Sequence, residues 1–200
     1  MTITSGVEEL SAIVKAGRAR EHYKANDVVT LDGVDYKIIG FDHDAPNSIT
    51  LMRNELLPYR VMHTSTTAGG WKDTTLRKWL NDEYIKELSD KLISHIIPVQ
   101  KVTHTYDGKK TETKDKIFIC SESEMFGSAI YSYHEDGARY EAFATSELRA
   151  LKDEDGDYDW YWTRSPSSSA NFAIVSSYGN ANHASATNST VRVAPCFTIS

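Results

Sequence analysis

Cysteine is scarce in this chain. Cys120 and Cys196 are its two, too few for a disulfide framework, and both lie in apolar runs where a free thiol is ordinarily buried. No apolar stretch approaches the roughly 20 residues of a membrane span, so no membrane insertion is expected. The start, Met1-Thr2-Ile3-Thr4-Ser5, lacks a basic segment followed by an apolar one, which predicts a cytoplasmic product without a secretory leader. Positive charge is not clustered either. The net charge is −6, and the nearest basic run, Lys109, Lys110, Lys114 and Lys116, is interleaved with Glu112 and Asp115. Phosphate backbones are gripped by clustered basic faces, so nucleic acid is not an expected partner. There is no internal repeat. A length of 200 residues, with 40% apolar and 25% charged, suits one α+β domain able to bury a core without staples.

The scarcity that organises the chain is local. From Ser165 to Thr190 no residue carries a formal charge, and Ser, Asn, Ala and Thr dominate. An aromatic strand, Trp160-Tyr161-Trp162-Thr163-Arg164, precedes this segment. A second strand follows it, with Val191, Val193, Phe197 and Ile199 on one face at period two. A solvated linker seldom sits between two strands that both read as core. The segment is therefore expected to be an ordered surface, where binding residues tend to lie. Ser, Asn and Tyr supply adaptable hydrogen bonds and a rigid aromatic at low entropic cost. The candidate ligand-binding residues are Ser177, Tyr178, Asn180, Asn182, His183, Ser185 and Asn188. Trp160 and Trp162, two apart on a strand, add a partly exposed aromatic pair on one face.

Upstream, Ser5-Gly6-Val7-Glu8 has capping-box spacing, and Val7, Leu10, Ile13, Val14 and Gly17 share a helical face up to about Tyr23. Residues 1–27 thus form a helical arm, and the remaining 28–200 the domain proper. Val28–Leu31 and Val34–Phe41 flank Asp32-Gly33, a hairpin signal, and Ser48–Met52 is a third strand. Leu76, Trp79, Leu80 and Tyr84 mark the buried stripe of a helix capped by Asp73 or Thr74, and a shorter helix from Ser89-Asp90 stops at Pro98. Val99–Thr105 and Lys116–Cys120 read as strands around a Tyr106–Lys109 turn, and Ser121–Glu124 begins a helical turn ending near Gly127.

Several of these stretches, taken in order, resemble the DUF6273 domain family, found in phages and prophages of gut Firmicutes and in related bacteria. They are Gly40-Phe41-Asp42-His43-Asp44, Gly69 to Asn81 (GGWKDTTLRKWLN), Asp115 to Glu122 (DKIFICSE), Tyr161 to Pro166 (YWTRSP), Asn171-Phe172, Gly179-Asn180-Ala181 and Val191-Arg192. The resemblance runs from about Glu9 to Ile199. It implies a C-type-lectin-like fold, of the kind shared by formylglycine-generating enzymes and by phage variable proteins whose carboxyl-terminal segment a retroelement diversifies. Residues 167–190 are similar in composition to such a variable segment. The Val191-Arg192 step departs from the more usual Gly-Val-Arg-Pro. The enzymes of this fold use a cysteine pair with copper. Cys120 and Cys196 match no such motif and lack the polar surroundings that activate a thiol, so no cofactor and no catalysis is expected.

Two acidic clusters invite a metal. Asp153 to Asp159 fails the EF-hand template, because Tyr158 and Arg164 stand where Gly and Glu belong, and a solvated turn is the simpler reading. Asp42-His43-Asp44 has no second ligand group at a matching spacing and reads as a hydrogen-bonded loop. Trp71 and Trp79 read as core. The expectation is a recognition module of receptor-binding or adhesin type. Its partner is a host-surface protein or glycan, with homo-oligomer formation and a virion or cell-surface location among the consequences. A structural virion component and an enzyme on the same fold are the alternatives.

Overall fold

The computed structural model describes residues 2–4 and 6–200, so the capping box expected at Ser5 lies outside the described residues. Strand β1 (Thr2–Thr4) is followed by α1 (Val7–Lys15) and α2 (Ala19–His22). The single helix expected to Tyr23 is broken, because Gly17 turns left-handed at φ 70° and accommodates the reversal. Val7, Leu10 and Val14 bury the apolar face of α1 in the same core as the sheet, so this arm packs on the domain. Strands β2 (Val28–Leu31) and β3 (Val34–Phe41) pair antiparallel through Asp32 and Gly33, both at positive φ as a tight hairpin turn requires. Strand β4 (Ile49–Arg53) pairs with β3.

A 3-10 turn at Gly70–Asp73 leads into α3 (Thr75–Asp82), whose N-cap Thr74 accepts from the Arg77 amide. Ser89 caps α4 (Asp90–His95) in the same way, and the chain runs into β5 (Ile96–Ile97) and β6 (Val99–His104). The partner of β6 is β7 (Lys110–Asp115), not the expected Lys116–Cys120. Thr113 and Asp115 face inward while Glu112 and Lys114 face water, an alternation that the high charge of KTETKD disguises. Residues 116–120 instead thread through the core, where Ile117, Phe118 and Ile119 are buried and Phe118 bridges Cys196.

Helix α5 (Glu122–Phe126) has the Ser121/Glu124 capping box and ends at left-handed Gly127. After α6 (Ser146–Arg149) come the short pair β8 (Leu151–Lys152) and β9 (Tyr158–Asp159), then β10 (Tyr161–Pro166), β11 (Asn171–Val175), β12 (Ala181–Ser185) and β13 (Cys196–Ile199). The main sheet has the order β1-β2-β3-β4-β13-β5, and a second sheet has the order β10-β11-β12. The last strand is not half-buried as its alternation suggests. It lies between β4 and β5, and all of Cys196–Ile199 is buried. The fold is therefore α+β, with the uncharged segment forming two strands of a separate small sheet.

Candidate functional site

Strand β10 is the strut on which both candidate regions rest, and its polar ends are satisfied one by one. The Tyr161 hydroxyl donates to the Arg149 carbonyl, the Trp162 indole to the Arg60 carbonyl at 2.7 Å, and the Thr163 hydroxyl to the Ala173 carbonyl. The Ser165 hydroxyl accepts from the Glu122 amide. Trp162 is thus 1% exposed and the exposed tryptophan pair does not exist. Its indole is fixed inside by the Arg60 carbonyl, whereas Trp160 precedes the strand and remains 39% exposed. Trp71 is buried with its indole on Asp115, and Trp79 lies half-buried beneath the Arg60 guanidinium.

Below β10 lies a buried ion cluster. Arg164 holds Glu124 through both terminal nitrogens, at 2.5 and 2.9 Å, and also donates to Thr103 and to the Ile119 and Asp136 carbonyls. Lys101 bridges Glu124 and Asp44 and also donates to the Tyr140 hydroxyl at 2.8 Å. Asp44 also receives Thr50, Tyr140 and Thr198 hydroxyls. Burial alone would raise the Glu124 carboxyl, but the Arg164 and Lys101 charges more than reverse it and hold it down to about 2. Burial likewise opposes ionisation of Asp44, and Lys101 overrides it, leaving that pKa below its ordinary value. Burial pushes the Tyr140 phenol well up.

This cluster floors an open cleft of about 640 Å3 whose walls include His43, Gln100, Glu135 and Asp136. The ligand atoms of His43, Asp44 and Glu124 lie within 4.8 Å of one another, the spacing of a metal site. Yet the two carboxylates already meet two cations, and a divalent ion would have to displace the Lys101 ammonium. Neither carboxyl is poised for proton transfer near neutral pH, since both are held ionised. The Asp42-His43-Asp44 loop is thus tied down by hydrogen bonds, with His43 stacked on Tyr140 at 3.9 Å and its pKa lowered by burial. Chemically the cluster is a lock.

The uncharged segment is different. Strand β12 is the edge of its sheet, and His183 and Ser185 point outward while Ala184 points in. Tyr178, at 80% exposed, and Asn180 occupy the β11–β12 turn, with Ser177 half-buried beside them. That turn is docked rather than loose. Gly179 sits at φ 73°, its carbonyl accepts from Arg149 Nε at 2.9 Å, and a side chain there would collide with the Ser146 carbonyl. Asn182 and Asn188 are half-buried. The side-chain Oδ1 of Asn182 accepts from the His183 amide, and Oδ1 of Asn188 from the Thr190 amide and hydroxyl, so Asn188 shapes its own turn. Tyr178, Asn180, His183 and Ser185 are thus exposed, whereas half-buried Asn182 lies on the Ala184 side of β12, Trp160 precedes β10 and Trp162 is buried.

Sequence reasoning missed the aromatic belt beside that face. Glu122 is fully buried, and its carboxylate accepts from the amides of Ile130, Tyr131 and Ser132 and from the Ser132 hydroxyl. This one side chain moulds a loop that presents Ile130, Tyr131 and Tyr133 to solvent. Tyr131 packs on His183 at 4.9 Å between ring centres, and Tyr133 meets exposed Tyr106 edge-on at 5.7 Å. The available signal was the Tyr131-Ser132-Tyr133-His134 cluster, whose periodicity fits neither helix nor strand.

The acidic loop spends its carboxylates internally. Arg192 pairs with Asp153, Glu154 and Asp159 at 2.7 to 2.8 Å and lies over Tyr59, while Asp153 also accepts from the Asp155 and Asp157 amides. Cys120 and Cys196 are buried, their sulfurs 3.8 Å apart, and burial raises the Cys120 thiol well above its usual pKa. Among the described residues no helix is long and apolar enough to cross a membrane.

Residues 46–200 match the family model described as Domain of unknown function (DUF6273). That is well over half of the chain, and the chain belongs to this family. No curated protein and no solved structure matches it. The match begins in the loop between β3 and β4, although β2 and β3 complete the same sheet.

Proposed function

We propose that this member of the family is a ligand-recognition module, a phage- or prophage-encoded receptor-binding or adhesin-like protein. It displays the β11–β12 hairpin to a host-surface protein or glycan. The observation that carries this reading is the edge position of β12, where an uncharged, hydrogen-bonding face stands outward on a stiffened hairpin. Rigid presentation lowers the ordering cost of binding, and Tyr, Ser and Asn supply the contacts. Supporting a binding role over an enzymatic one, the buried carboxylates are locked by cations and the Cys120 thiol is held protonated at neutral pH. The same reading takes the fold as C-type-lectin-like, with a main sheet closed by the final strand and a smaller sheet bearing the ligand face.

The test uses fluorescently labelled protein on intact cells and isolated envelopes of a panel of gut Firmicutes. Saturable binding is expected to at least one of them, with a roughly tenfold or greater loss in a Tyr178→Ala/His183→Ala double variant, the scale of removing interface anchors. Binding that is absent across the panel, or indifferent to the double variant, sinks the proposal.

A further inference from the structure

A second cavity opens between the loop before the 3-10 turn, the β6–β7 turn and the tip joining β10 to β11. Its volume is about 330 Å3, at the small end of ligand sites, and it is lined by Thr66, Thr67, Thr105, Tyr106, Asp107 and Ser169 with bare backbone at Gly69. Gly69 is left-handed at φ 78°, and a side chain there would run into the Asp73 side chain, so this position requires glycine. We propose that this cavity binds a single neutral pyranose unit, making it the sugar subsite of the recognition face; the assignment rests on the reading of that face as a ligand surface.

Three features of the cavity point to a sugar. Tyr106 is 43% exposed and braced edge-on by Tyr133, so it offers an aromatic wall for the C–H face of a ring. Asp107 is exposed beside it. The Thr105 hydroxyl donates to its carboxylate and lowers its pKa, so it stays ionised and accepts hydroxyl donors. Third, the lining holds no basic residue to neutralise an anion beside Asp107. A ligand with one apolar face and a rim of hydroxyls matches the Tyr106 ring and the Asp107 carboxylate together. The docked tip fixes the geometry, since the Thr67 amide and hydroxyl donate to the Ser169 and Ser168 carbonyls.

Saturation-transfer NMR and calorimetry with glucose, galactose, mannose, N-acetylglucosamine and their disaccharides test the site on the full chain. Binding is expected for at least one sugar. Tyr106→Phe keeps it, and Tyr106→Ala loses about tenfold, the worth of an aromatic stacking contact. Asp107→Asn loses about tenfold or more, as for a charge-assisted hydrogen bond. No transfer from any of these sugars, transfer indifferent to Tyr106→Ala in a folded variant, or displacement by inorganic phosphate each overturns the assignment. If sugars fail while envelope binding still depends on Tyr178 and His183, the sugar subsite alone falls. If sugar binding needs Tyr106 while envelope binding ignores the hairpin variant, the hairpin reading falls and the cavity assignment survives.

Discussion

Arg164 and His183 belong to one small sheet, on its first and last strands, yet their surroundings are opposite. Around Arg164 every polar group is buried and matched: two cations, two carboxylates and their hydroxyl and carbonyl partners close on themselves. On the strand of His183 the outward side chains, His183 itself and Ser185, are exposed and uncharged. The contrast teaches how to read a polar cluster. Charge packed inside a protein has to be compensated there, so its partners are spoken for and it serves rigidity. Hydrogen-bonding groups on an ordered edge cost the fold little and remain available to a partner.

The sharpest way to break this comparison is Arg164→Met. It leaves Glu124 buried against one remaining cation, and a loss of about 3–5 kcal/mol is expected in urea unfolding. Arg164→Met combined with Glu124→Leu should recover much of that loss, because the uncompensated charge goes with it. A pH series comes next. The Glu124 carboxyl is held at about 2 against an ordinary 4.5, so its stabilisation is full above 4.5 and drains away as the pH falls toward 2. The shift corresponds to about 3 kcal/mol, read from melting temperatures across that window. Asp44 acts with the same sign. Asp136, raised mainly by burial, acts with the opposite sign and loses its contribution as the pH rises above 3.8.

Glu122→Gln is intermediate in effect. It turns a pure acceptor into a group that presents a donor to three amides, and about 1–3 kcal/mol should be lost. Hydrogen exchange should quicken at Ile130, Tyr131 and Ser132, the loop that stacks on His183. Smallest of all, Tyr178→Ala and His183→Ala should each leave unfolding stability within about 0.5 kcal/mol, the ordinary scale for exposed positions. A larger loss at either would mean that the hairpin face is structural after all.

Much of the local architecture was legible. Asp32-Gly33 announced its hairpin, Ser121–Glu124 their helical turn, and Asp73 or Thr74 the cap that the structure gives to Thr74, because each is settled by residues within a few positions. The carboxyl-terminal segment read as a surface throughout, but its β11 is buried from Phe172 to Val175, and the split of β12 into an inward Ala184 and outward His183 and Ser185 needed the strand pairing. Trp162 was misplaced because the Arg60 carbonyl that receives its indole lies about a hundred residues away. KTETKD did not read as a strand, since only the partner β6 shows which of its faces is inside. The aromatic belt stayed hidden for a similar reason: Tyr131 meets His183 only because Glu122 folds the loop toward it.

By itself the sequence determined the Asp32-Gly33 turn, the helix start near Thr74, the mixed α+β class and the uncharged stretch, all of which depend on neighbours along the chain. Tertiary structure alone decided which polar residues were spent inside and which were left on the outer face. Compensation of a buried charge and the exposure of an edge strand depend on residues distant in sequence, and no local pattern carries that information.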